Sequence, residues 1–306
     1  MYLVLKPTIV LSLATFLAPF YTIHKAKIIH IFCTMCSIVF CVYSVKTTIE
    51  TLQYYFDKNT NICHFSQTAL VMFLTLNLLT SHVKLNFSRK KMTGEFLELE
   101  VLFKDVPSIF CNKAKTSNSI TLFSVIFSIV FIYFIEFFSI GNYSSFCMTL
   151  IYMYLESACF IPGIQFANIL IVIKYIFKSL NIIIKNNYDI RLSTLNGTSS
   201  EKGNRIICRN DKNRYSVQNL KKLFKTYNGL CDTAECINGS YSMIILFLIT
   251  RMFFGLVHCT YYFVTVFLKH AICDVASNGS YSMWLTQHVM IVFGFVHIVN
   301  STALEV

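Results

Sequence analysis

The stretch MIILFLITRMFFGLVHCTYYFVTVFL, residues 243–268, decides the fold. It runs for 26 residues with one charged side chain, Arg251, and no proline. About 20 apolar residues suffice to cross the roughly 30 Å hydrocarbon core of a bilayer as a helix. The segment therefore reads as a transmembrane helix with an ion inside it.

Working outward from it, five more segments have the same character. Residues 28–45, 62–83 and 283–304 contain no Asp, Glu, Lys or Arg, 120–140 carries only Glu136, and 146–173 only Glu156. The whole chain agrees: 55% of it is hydrophobic and 13% charged, against about 25% charged in a soluble domain. Only Pro162, of four prolines, falls inside a span, as long unbroken helices require. The short alternating segments of a strand barrel are absent. The expectation is a single all-α domain, a polytopic helical bundle of six transmembrane helices at approximately 28–45, 62–83, 120–140, 146–173, 243–268 and 283–304.

The net charge of +11 assigns the orientation once the charges are located. Lys and Arg number three before the first span, seven in 84–119 and twelve in 174–242, whereas the alternate loops hold Lys58, none, and Lys269. Basic residues stay on the cytoplasmic side. The N-terminus and the loops 84–119 and 174–242 are thus expected in the cytoplasm, in the plasma membrane, with the lipid bilayer as partner and no nucleic acid. Residues 8–23 read either as a signal peptide or as an uncleaved segment at the inner interface, and cleavage would export Lys25 and Lys27. Residues 193–214 read as a polar linker. After it, Val217, Leu220, Leu223 and Phe224 fall three or four apart opposite Lys221, Lys222 and Lys225, predicting an amphipathic helix that runs on into the fifth span.

The hexapeptide NGSYSM occurs at 238–243 and at 278–283. The residues downstream of the two copies differ, so no 40-residue repeat is implied. Asn and Ser at such places cap helix starts, and both copies read as punctuation before a helix. Asn278 and Asn142 are N-x-S sequons on the side expected to face outward, which makes them candidate glycosylation sites.

No enzyme motif is present: there is no H-E-x-x-H, no G-x-S-x-G and no phosphate-binding glycine loop. No metal and no cofactor is expected, and Cys33-x-x-Cys36 sits inside an apolar run. Candidate binding residues come instead from the outer halves of four spans. Tyr133, Glu136 and Phe137, then His258, Tyr261 and Tyr262, then Trp284, Gln287 and His288, each keep i, i+3, i+4 spacing and so share a helix face. Tyr152 and Glu156 are one turn apart. Aromatic faces with a few hydrogen-bonding groups suit a pocket for a small, partly apolar molecule. The same residues equally suit an interfacial aromatic belt.

An ionised side chain in hydrocarbon costs about 2.5–3.5 kcal/mol or more unless paired or hydrated. By helical rise Glu156 and Arg251 differ in depth by only some 3 Å. Either they form a structural ion pair between the fourth and fifth spans, or Arg251 snorkels to the inner interface.

Two stretches carry a resemblance. LKPTIVLSLATFLAPFYT, residues 5–22, and LFKTYNGLCDTAECINGSYSMIILFLITRMFFGLVHCTYYFV, residues 223–264, resemble the opening and the fifth segment of insect gustatory receptors. The resemblance implies a chemosensory receptor subunit, a ligand-gated cation channel that binds a small-molecule tastant between the outer halves of its helices and assembles as a tetramer. That family has seven spanning helices, with T-Y-x5-Q-F in the seventh; no such motif occurs here, so the chain is expected to be truncated before that helix. The alternative is a six-span transporter or accessory membrane protein. A transporter would show paired helix breaks, and Pro162-Gly163 has no counterpart.

Overall fold

The computed structural model describes residues 62–104, 106–140, 143–196, 206–269 and 275–305, with isolated positions nearer the N-terminus. These residues form six helices and no strand: α1 (Ile62–Phe87), α2 (Arg89–Lys104), α3 (Ser108–Ile140), α4 (Tyr143–Asn196), α5 (Ile206–Lys269) and α6 (Val275–Ala303). The protein is an all-α, membrane-embedded helical bundle.

The sequence predicts six spanning helices, and this count is corrected. Among the described residues four helices are long and apolar enough to cross a membrane, over Ser108–Phe134, Cys159–Asn186, Leu220–Thr265 and Ser282–Ala303. The expected span 28–45 lies outside the described residues apart from isolated positions. The expected span 62–83 is helical, within α1, but its continuous stretch of described side chains, 72–85, is shorter than a crossing needs. That stretch also buries Thr75, Asn77, Ser81 and His82. Counting charges alone misses this polar seam, because none of the four is formally charged.

Burial sorts the helices. The span of α4 is 83% buried, those of α5 and α3 39% and 22%, and that of α6 only 11%. A helix apolar on every side belongs at the centre, and residues 159–169 of α4 are buried without a break. The other helices pack around it. On α5 the buried positions Leu230, Thr233, Ile237, Tyr241, Ile244, Leu248, Met252 and Cys259 fall along one stripe of the helix, most of them three or four apart. The opposite side is also apolar where it meets lipid, with Leu246, Ile249, Phe253 and Val257 exposed.

Specific contacts fix the register. Tyr241 Oη donates to Gln165 Oε1 at 3.0 Å, fully buried, and its ring packs on Phe166. An interhelical bond of this kind contributes about 0.6 kcal/mol within a membrane. Phe73 of α1 stacks on Phe254 of α5 at 4.9 Å, and Cys159 Sγ donates to the Leu74 carbonyl. Beyond α6, Glu305 accepts from Lys178 Nζ at 2.9 Å, while its carbonyl accepts from Asn181 Nδ2 at 2.7 Å, so α4 holds the end of α6.

Three local expectations fail. α5 has 64 residues, about 96 Å of helix, and runs without a break through the first NGSYSM; the second copy lies inside α6, which starts at Val275. Neither copy opens a helix. In the first, Ser240 Oγ donates to the Cys236 carbonyl and Ser242 Oγ to the Gly239 carbonyl, so the hydroxyls are satisfied along the helix itself. The predicted apolar face at Leu220 and Phe224 is instead exposed, and Leu223 and Leu230 turn to the core. Helices also occupy 193–196 and 206–214 of the predicted linker.

Candidate functional site

Small residues on α3 open the site. Thr121, Ser124 and Ser128 recur on one side of the helix, the side that lines the cavity. Thr121 Oγ1 donates to the Ser117 carbonyl at 3.0 Å and Ser128 Oγ to the Ser124 carbonyl at 2.7 Å. On α6 the facing wall is Ser282, Thr286, Gln287, Met290, Gly294 and Ile298, and Thr286 Oγ1 likewise donates to the Ser282 carbonyl. Phe160, Gly163 and Ala167 of the central α4, with Leu248 of α5, form the floor. The space between these walls is a cavity of about 650 Å³. Its rim residues Phe127, Phe131 and Met290 are 57%, 42% and 67% exposed, so it opens sideways, toward where lipid would lie.

Three hydroxyls of this wall are bonded to their own helices. Gln287 is not. It is 5% exposed, and neither Oε1 nor Nε2 has a partner among the described residues. A buried amide left so costs about 1–3 kcal/mol, and its two atoms offer donors and acceptors together.

An aromatic corner stands beside the site. The Tyr133 ring stands edge-on to Trp284 at 5.7 Å and 90°, and Trp284 lies 5.7 Å from the His288 ring. His288 Nδ1 is 2.7 Å from the Trp284 carbonyl. A carbonyl only accepts, so in the neutral ring Nδ1 carries the hydrogen and Nε2 does not. The Nε2 edge abuts Gly255 of α5, where a Cβ would come within 2.5 Å of it. Below the floor, Arg251 is 1% exposed and its guanidinium carbon lies 5.1 Å from the Phe160 ring. It does not snorkel to a surface.

Of the sequence-predicted residues, Tyr133, Gln287 and His288 come together with Trp284, although α3 and α6 are far apart in the chain. Gln287 alone among them lines the cavity. His258, Tyr261 and Tyr262 are half-buried on α5 and do not line it; Tyr262 packs on Phe263. Glu136, Phe137, Tyr152 and Glu156 lie on helices, but their side chains fall outside the described residues, as does Asn142. Asn278 sits in the first turn of α6. Sequence reasoning missed Thr121, Ser124, Ser128, Gly163 and Gly294. Their signal was a run of small residues at helical spacing, which a search for aromatic and charged groups passes over. Among the described residues no group of three or more His, Cys, Asp or Glu could hold a metal ion.

No curated protein sequence matches the chain. The model of one family, described as 7tm Chemosensory receptor, matches residues 10–305. With nearly the whole length matched, this polytopic membrane protein belongs to the 7tm chemosensory receptor family, a class of receptors and not of enzymes.

Proposed function

We propose that the chain is a receptor subunit of the gustatory type, a ligand-gated cation channel of the plasma membrane whose small-molecule tastant binds in the cavity between α3 and α6. The observation that carries this reading is Gln287: a buried carboxamide with no partner among the described residues, on the wall of a cavity of about 650 Å³. Natural pockets of this kind are mostly apolar, with few polar groups to orient the ligand. The little-buried α6 suits the gating role, because a ligand shifts an equilibrium only if it contacts the two states differently. Subunits then assemble as an oligomer, a tetramer by the family resemblance, with the N-terminus in the cytoplasm.

Cells displaying the full chain at their surface, challenged with sucrose, caffeine and straight-chain amides, test the channel reading. An inward cation current evoked by any of these, and reduced at least tenfold by Gln287→Leu, is expected. Silent cells with verified surface protein would sink it.

A further inference from the structure

The cavity of about 650 Å³ follows its α6 wall from Ser282 to Ile298, a rise of about 24 Å. Its unsatisfied polar group, Gln287, lies near one end, followed by Met290, Ile291, Gly294 and Ile298. The hydroxyls of Thr121, Ser128 and Thr286 donate to their own backbones, and past Gln287 the α6 wall presents the hydrocarbon of Met290, Ile291 and Ile298. Gly294 leaves open space, for a Cβ there would meet nothing within 4 Å. The cavity faces sideways between Phe127, Phe131 and Met290.

We infer that this site selects linear amphiphiles: a neutral head that both donates and accepts, such as a primary amide or an un-ionised carboxyl, paired with the Gln287 carboxamide, and a straight tail lying along α6 past Gly294. The ligand enters from the bilayer, through the side of the bundle. Gln287 sets the head, and Gly294 sets the tail length. From Gln287 to Gly294 is about 10 Å of rise, and to Ile298 about 16 Å; a side chain at 294 therefore stops the tail early. This inference rests on the cavity being the receptor's ligand site.

Thermal unfolding of the purified full chain in nanodiscs, with octanamide, tetradecanamide, N,N-dimethyltetradecanamide and 1-adamantanecarboxamide, tests it. Wild type is expected to be stabilised most by tetradecanamide, with the dimethyl compound, which lacks donors, about tenfold weaker. Gly294→Leu, whose Cβ would meet nothing within 4 Å, should reverse the order of the two chain lengths. Gln287→Leu should abolish the preference for the primary amide while the protein still folds, because it removes an unpaired buried amide. If the compact adamantane amide stabilises the chain and the linear amides do not, or if Gly294→Leu leaves the length preference unaltered, the linear-ligand inference fails while the site stands. If none of these, and neither sucrose nor caffeine, shifts unfolding, the reading of the cavity as a ligand site fails with it.

Discussion

Gly255 has no side chain, and the His288 ring occupies the room. The ring cannot swing away cheaply, since its other nitrogen is bound to the Trp284 carbonyl. Gly255→Ala should therefore destabilise the bundle by about 1–3 kcal/mol, the usual cost of overpacking. His288→Ala in the same chain should recover most of the loss, a coupling that a double-mutant cycle of unfolding midpoints measures. Tyr241→Phe tests a different kind of contact. It removes the hydroxyl donated to Gln165 without changing shape, and a loss of about 0.6 kcal/mol, at most about 1.7, is expected by the same measurement. At this scale the sequence was partly legible. The spacing of Trp284, Gln287 and His288 did place three side chains on one face, and the last two are buried. That His288 would press on a glycine 33 positions earlier could not be read, because no periodicity within one helix reports the register between two.

At the scale of elements, length and apolar composition identify helices, but not their limits or their faces. In water an apolar stripe marks the inside of a helix. In a bilayer both sides are apolar, as with Leu246, Ile249 and Phe253 of α5, which are exposed; and at its basic end Leu220 and Phe224, which the lysines opposite them would turn inward, are exposed too. Polar seams also escape a count of charges, as Asn77 and Ser81 of α1 do, bonded to each other at 3.2 Å. The α4–α5 seam carries the intramembrane ion. Arg251 rests against Phe160, and Glu156 stands one turn before Phe160 on α4. We propose that the two ions pair across this seam. Arg251→Glu alone should cut surface expression strongly, since an unpaired buried charge costs about 3–5 kcal/mol. Adding Glu156→Arg should restore expression above that of either single variant; equal expression of double and single variants would count against the pair.

For the whole molecule, orientation comes from how basic residues are distributed. The 12 Lys and Arg within 174–242, on the end of α4, the start of α5 and the segment between them, are the largest such group, and an excess of positive charge keeps such a segment in the cytoplasm. An epitope at the N-terminus should accordingly be reached by antibody only after the plasma membrane is permeabilised, and one inserted between α4 and α5 should behave alike. Labelling of either on intact cells would invert the map.

Least buried of the four spans, α6 is nonetheless anchored at both extremities: Trp284 against Tyr133 at one, Glu305 on Lys178 and Asn181 at the other. Between those anchors it stands off α3 by the width of the cavity. A rod clamped at its ends, backed by α4 and α5 through Phe295 and Ile291 but open toward α3, responds to pressure from that side by flexing, and the strain is felt at the clamps. A molecule lodged beside Met290 should thus loosen the distant Lys178–Glu305 clasp without touching it. A fluorophore at Asn300, on the exposed side near that clasp, should report an occupied cavity from about 15 Å away along the helix, and Glu305→Gln should mute the signal.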